Sequence, residues 1–177
     1  MSLRGELKGS TTLSRRDLIA LARIDFGVFL ALMFPELHNG RQMAPTLYVN
    51  LMVEALTSVR DGAHNRLIFN LPPGHMKSLI VSVMFTAWML GVDPSKRILC
   101  ISYGEDLARR LSRQTRRLMA SRLYGLIFPQ TVLAKQAEDL LTTTKGGQRF
   151  ATAVGGTIAG FRSDPTIVDD GSNCAKK

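Results

Sequence analysis

Cysteine is scarce in this sequence: its 177 residues include two, Cys100 in an apolar run and Cys174 in a polar stretch. Two such residues form neither a disulfide framework nor a zinc-ligand spacing, which excludes the disulfide-rich and zinc-finger classes. The sequence also lacks a signal-peptide pattern after Met1 and an apolar run long enough to span a bilayer. We therefore expect a soluble protein of a reducing cytoplasm, with no membrane association.

Acidic residues are also few, 14 against 23 lysines and arginines, so the formal charge is +9. Lysine and arginine gain free energy by displacing counterions from phosphates, and this charge therefore favours a polyanionic partner such as nucleic acid. Charge alone fits equally well a soluble basic protein that binds no nucleic acid. Proline is sparse and apolar residues make up 45% of the chain, which predicts a folded chain rather than disorder.

Hydrophobic periodicity divides the chain into a helical segment, residues 1–60, and an α/β core, residues 61–177. Helices are predicted between an N-cap at Ser14 and a stop at Pro35, and over residues 47–59, 77–90 and 105–122. Buried strands are predicted over 66–71, 97–103 and 166–168, and a hairpin pairs 142–144 with 149–154. This alternation predicts a mainly parallel sheet with right-handed crossovers.

The turn before the third predicted helix carries the clearest chemical signal. An apolar segment runs into a short loop, and Lys77-Ser78 then opens a helix. Backbone N–H groups of such a loop bind phosphate, the lysine adds a cation between the β- and γ-phosphates, and the serine hydroxyl completes a Mg²⁺ shell. The sequence therefore predicts a site for ATP and Mg²⁺ at Pro72, Pro73, Gly74, His75, Met76, Lys77 and Ser78.

Two positions depart from the usual phosphate-loop motif, because Leu71 and Met76 stand where it has glycine. The alternative is a helix that happens to begin with Lys-Ser after a proline-rich turn. Both interpretations stay open at the level of sequence.

Asp169 and Asp170 follow the last predicted strand, residues 166–168. A carboxylate at the carboxyl end of a buried parallel strand lies beside the phosphate loop in an open sheet. There Asp169 would hold Mg²⁺ through water, because Mg²⁺ prefers oxygen ligands and keeps part of its hydration shell. Asp170 would orient or deprotonate the attacking water. The alternative is an ordinary Asp-Asp-Gly turn.

The helix predicted over 105–122 is rich in arginine. Four of its arginines share one face, opposite an apolar stripe of leucines. Such a face fits a track for DNA phosphates, or one arginine that reaches a neighbouring subunit's ATP; the alternative is a solvated face. The segment contains Arg109, Arg110, Arg113, Arg116, Arg117 and Arg122, of which 109, 113, 116 and 117 share the face.

Residues 71–78 closely resemble the variant phosphate loop of tailed-phage terminase large subunits. The resemblance extends, in the family's order, over about residues 20–170, through segments 87–91, 102–103, 107–112, 126–129, 155–164 and 167–170. It implies a P-loop ATPase of the ASCE type, a three-layer sandwich preceded by N-terminal helices. It further implies an ATPase that drives double-stranded DNA into a procapsid, with the portal protein, the small terminase subunit and a possible homo-oligomer ring as partners, in the host cytoplasm.

Carried over by position, the resemblance assigns catalytic roles to Lys77 and Asp170, and Mg²⁺ binding to Ser78 and Asp169. Gly74 stands where many relatives have an arginine that acts on the γ-phosphate. The family's coupling motif, further strands and nuclease domain have no counterpart after Asp170, so we expect an incomplete sheet and weak or no turnover. The alternatives are another P-loop nucleic-acid motor, a helicase or repair ATPase with Gln42 reading adenine, and a non-catalytic basic DNA-binding remnant.

Overall fold

Three helices form the first part of the chain: α1 (Arg15–Ala22), α2 (Phe26–Leu37) and α3 (Leu47–Arg60). The structure, a computed structural model, describes residues 13–156, 158 and 160–169. The predicted N-cap of α1 is confirmed. The Ser14 hydroxyl accepts from the backbone N–H of Asp17 (3.2 Å), and the N–H of Ser14 donates to the Asp17 carboxylate (2.9 Å).

The single helix predicted up to Pro35 is wrong, because the chain bends by 112° between α1 and α2. Asp25 interrupts the helical pattern: its carboxylate accepts from the N–H of Val28 (2.9 Å) and so starts a second helix. Pro35 does not end α2, which continues to Leu37. α3 ends at Arg60, one residue beyond the predicted range, with Asp61 at its C-cap.

The central helix, α4 (Leu79–Val92), is apolar on all sides, as predicted, and most of its residues are buried. Its first part, Leu79–Phe85, is π-helical and its second part, Thr86–Val92, is α-helical. Trp88 is fully buried in α4, and its indole N–H donates to the carbonyl of Ala22 (2.9 Å). The N-terminal helices and the α/β segment therefore share one hydrophobic core.

A five-stranded mixed sheet completes the fold, with strand order β2-β3-β4-β1-β5. β1 is parallel to both β4 and β5, whereas β2, β3 and β4 pair antiparallel. The α/β class and the hairpin are confirmed, and the expectation of a mainly parallel sheet is corrected to a mixed one. The bounds are β1 (Arg97–Ser102), β2 (Leu133–Gln136), β3 (Leu140–Thr143), β4 (Gln148–Ala153) and β5 (Thr166–Asp169), with α5 (Glu105–Met119) and α6 (Arg122–Ile127) between β1 and β2.

The helices that pack on the sheet, α4 and α5, lie on one face, the face of Ile98 and Cys100. On the other face the loop after β4 places Phe161 against Phe150 (ring centroids 5.4 Å apart), and Val168 is 61% exposed. Within the described residues the arrangement therefore has two layers rather than the expected three.

The strand predicted over residues 66–71 is wrong. The segment pairs with none of the described strands, and Ile68 is 92% exposed. Phe69 and Leu71 are partly buried against the core, whereas Leu67 is exposed. The apolar residues of the segment indicate that part of it is buried. A strand also requires a neighbouring strand with which its backbone forms hydrogen bonds.

Within the described residues no single helix is long and apolar enough to cross a membrane. Only α1 and α2 taken together, across their 112° bend, reach the required length and composition. The large apolar side chains of α2, among them Phe29, Leu30 and Met33, are buried in the core.

Gly147 immediately precedes β4, the return strand of the hairpin, at a position where no side chain fits. A Cβ there would lie 2.3 Å from the carbonyl oxygen of Pro94, which is backbone and has little room to move. We expect Gly147→Ala to lower the free energy of unfolding by about 1–3 kcal/mol, measured by urea denaturation. Gly125→Ala in α6 is the control, since nothing lies within 4 Å of its added Cβ; an equal loss in both variants would contradict the packing described here.

Candidate functional site

The start of α4 lies at the carboxyl edge of the parallel strands. The turn of residues 93–96 joins the end of α4 directly to the start of β1, so α4 runs back across the sheet antiparallel to β1. Its π-helical segment packs against β5. The loop of residues 72–76 therefore reaches the edge at which β1 and β5 end, where open α/β sheets bind their ligands.

The loop itself contains two residues with a left-handed backbone conformation. Gly74 has φ of 87° and Met76 has φ of 54°, both in the left-handed region. A left-handed residue is unfavourable for any side chain, by roughly 1–2 kcal/mol. Met76 thus takes the backbone conformation that glycine favours, although the glycine expected from the motif is absent. Strain of this kind concentrates at ligand-binding turns.

His75 is held from two sides. Its Nδ1 lies 3.1 Å from the carbonyl oxygen of Pro72 and 3.2 Å from that of Pro73. Because carbonyl oxygens only accept, Nδ1 carries the proton, and Nε2 is the ring nitrogen that remains for a ligand. The ring also makes an edge contact with Tyr48 of α3, with centroids 5.1 Å apart. α3 therefore contacts the loop through Tyr48.

Lys77 and Ser78 form the first helical residues after the loop and are both half-buried. Within the described residues, neither side chain makes a hydrogen bond or an ion pair. A cation and a hydroxyl at the start of a helix, beside backbone N–H groups, form an anion-binding arrangement.

Asp169 is the last residue of β5 and is 5% exposed. It pairs in register with Ser102, the last residue of β1, on the sheet face that α4 covers. Its Oδ2 is buried and has no hydrogen-bond partner among the described residues. An unpaired buried carboxylate oxygen costs free energy unless a cation or donor reaches it. Asp170 lies outside the described residues.

These features fit Mg²⁺ and a triphosphate. Mg²⁺ takes few protein ligands together with phosphate oxygens and water, so one hydroxyl and one carboxylate suffice. In the described part of the chain no group of three or more histidine, cysteine, aspartate or glutamate side chains forms a metal cage. The unpartnered Oδ2 of Asp169 is the observation that favours a cation at this edge.

Most of the arginine face of α5 is engaged within the protein. Arg109 pairs with Glu105 (2.8 Å), and Arg113 pairs with Glu138 (2.5 Å). Arg116 donates to the carbonyl of Gln136 (3.2 Å). The remaining exposed arginines on α5 are Arg110 and Arg117.

Sequence reasoning missed two residues that shape this region. Tyr48 lies in a helix with no motif of its own, and only the fold brings its ring to His75. Arg149 lies in β4, and an arginine within an apolar strand was the available signal; it is fully buried and donates to the carbonyl of Ser82 in α4 (3.0 Å).

Comparison with known proteins adds no family assignment. No protein-family description matches the chain, and no curated protein matches it significantly. The geometry of the loop and the chemistry of the residues around it therefore carry the functional argument.

The left-handed conformation at Met76 has a measurable consequence. We expect Met76→Gly to be more stable than Met76→Ala by about 1 kcal/mol, because both remove the same contacts and only glycine adopts this φ without strain. Urea denaturation of the two variants measures the difference. The opposite order, as found at ordinary helical positions, would show that the loop does not hold this conformation.

Proposed function

We propose that this chain is the ATP-binding part of a P-loop motor of the terminase large-subunit kind, which drives double-stranded DNA into a procapsid. The observation that carries the proposal is that two features occur at the same edge of the sheet. One is the left-handed turn at Gly74 and Met76 that opens α4, and the other is the buried, unpartnered carboxylate of Asp169. The sequence resemblance supports the choice of family.

Each residue has a defined task in this proposal. Backbone N–H groups of residues 74–78 bind phosphate, and the Lys77 ammonium neutralises charge that develops on the terminal phosphates. The Ser78 hydroxyl and the Asp169 carboxylate would hold Mg²⁺, which supplies charge neutralisation and orientation of the triphosphate when it is bound. Asp170 would orient the attacking water, a role that rests on the resemblance.

Lys77 is the most direct test of the nucleotide site. We expect Lys77→Ala to weaken Mg-ATP binding roughly 10- to 100-fold in calorimetry, because a charge-assisted contact to phosphate contributes about 1.5–3 kcal/mol. Asp170→Asn is expected to weaken it less, since that residue acts on water rather than on phosphate.

The control for this test is Lys135→Ala, which removes the same charge from an exposed position of β2. Its binding constant should match that of the wild type. Equal losses for Lys77→Ala and Lys135→Ala would reduce binding to general charge attraction, and equal losses for Lys77→Ala and Asp170→Asn would refute the division of roles.

DNA binding is the second element of the proposal, and the net charge of +9 supports it. Three of the arginines of α5 already have partners within the protein, which limits how much of that face contacts DNA. Arg110 and Arg117 lie two helical turns apart, close to the spacing of a continuous face, and they are the arginines of α5 that we assign to phosphate contacts.

The salt dependence of DNA binding tests this assignment. Replacing both Arg110 and Arg117 with alanine should reduce the slope of log K against log salt by about 2, because each phosphate contact contributes about 0.9. Fluorescence anisotropy on duplex DNA at several salt concentrations measures the slope. Replacing the paired Arg109 and Arg113 provides the comparison, and a larger change there would contradict the assignment.

Two other functions remain distinguishable by experiment. A helicase or repair ATPase would show DNA-stimulated turnover without binding to a portal protein. A non-catalytic DNA-binding remnant would bind duplex DNA with the same affinity whether or not Lys77 is intact, and would bind no Mg-ATP.

A further inference from the structure

Arg149 is a buried cation with an unusual set of contacts. Its side chain is fully inaccessible to solvent and lies on the sheet face covered by α4. One nitrogen, Nη2, donates to the carbonyl oxygen of Ser82 (3.0 Å), whereas Nε and Nη1 have no partner among the described residues. Within those residues no carboxylate pairs with it. Burying an arginine in an apolar layer is unfavourable because its charge loses hydration, so some other interaction must compensate for this cost.

The carbonyl that Arg149 contacts lies within the π-helical segment of α4. In an α-helix the N–H of Thr86 would donate to Ser82, but here it donates to the carbonyl of Val83 instead. Two side chains donate to the carbonyl of Ser82: Arg149 (3.0 Å) and the hydroxyl of Thr86 itself (2.9 Å). Arg149 and Thr86 therefore both donate to a carbonyl that lies within the π-helical segment of α4.

The polar environment of Arg149 extends along the sheet toward Asp169. Burial raises the pKa of the Cys100 thiol, Arg149 acts on that pKa in the opposite direction, and Asp169 adds to the increase. The two charged groups thus lie on either side of Cys100, on the strands that flank β1. Arg149 lies beneath the middle of α4, and Asp169 lies at the edge where α4 begins.

A change between π- and α-helical pairing alters everything that precedes it in the helix. Removing the one-residue offset of the π-helical segment rotates the preceding residues by about 100° about the helix axis and shifts them by about 1.5 Å. Lys77 and Ser78 immediately precede this segment. Their direction relative to Asp169 therefore depends on which pairing the segment adopts.

We infer that Arg149 is a positioning residue for the phosphate site: by holding the carbonyl of Ser82 it keeps the π-helical segment of α4 in place, and so orients Lys77 and Ser78 toward Asp169. This inference rests on the proposed function and deepens it. Arg149 touches neither the loop nor the nucleotide in this arrangement, and its effect passes through the helix.

Two measurements on Arg149→Met test the inference. Methionine has similar length and no donor, and replacing an unpaired buried charge with an apolar side chain leaves stability unchanged or raised. We expect Mg-ATP binding about tenfold weaker in calorimetry, with an unchanged or higher unfolding midpoint. In NMR, the scalar coupling across the hydrogen bond of the Thr86 amide should move from the carbonyl of Val83 to that of Ser82.

Thr86→Val is the second variant, because it removes the other side-chain donor to Ser82 from within α4 and leaves β4 intact. It should shift the same coupling and weaken binding in the same direction. Lys135→Met, an equal loss of charge at an exposed position, should do neither. Unchanged Thr86 pairing in both variants, or Mg-ATP binding within twofold of the wild type, would overturn the inference. A wild-type chain that binds no Mg-ATP would instead overturn the proposed function, and the coupling would still decide whether Arg149 holds the helix register.

Discussion

The packing of α4 against one face of the sheet determines where every part of the proposed site lies. Ile80, Trp88 and Leu90 of α4 are fully buried in the core, and each such side chain contributes about 1.5–3 kcal/mol by leaving water. The turn of residues 93–96 connects the end of α4 to the start of β1. The start of the helix therefore lies at the opposite edge of the sheet, where β1 ends. The loop before α4 reaches the carboxyl edge of the sheet for this reason.

Several energetically unfavourable groups lie along α4 or in the loop before it. Arg149 and Asp169 bury charged side chains with polar atoms that have no partner in the described residues, and Met76 holds a left-handed backbone. Buried charges of this kind cost several kcal/mol each before any compensation. The apolar surface of α4 offsets that cost, and several unfavourable groups along one helix are typical of a functional site.

Features with a local cause were predictable from sequence. The Ser14–Asp17 cap, the hairpin around Gly146 and the strand ending at Asp169 each follow from residues close together in the chain. The bend at Asp25 was missed because helical periodicity continues across it, and only the cap at Asp25 separates the two helices. The segment over residues 66–71 was predicted as a strand from its apolar composition, which does not report whether a neighbouring edge pairs with it.

The sequence by itself determined the α/β class, the position of the Lys77-Ser78 turn before an apolar helix, and Asp169 at the end of a strand. These follow from periodicity and turn chemistry, which act over a few residues. Tertiary structure alone decided the mixed sheet, the covering of one face, the contact of Tyr48 with His75, and the burial of Arg149 against Ser82, which lies 67 residues away. Such contacts depend on which surfaces meet when the chain closes on itself, and no local pattern of residues carries that information.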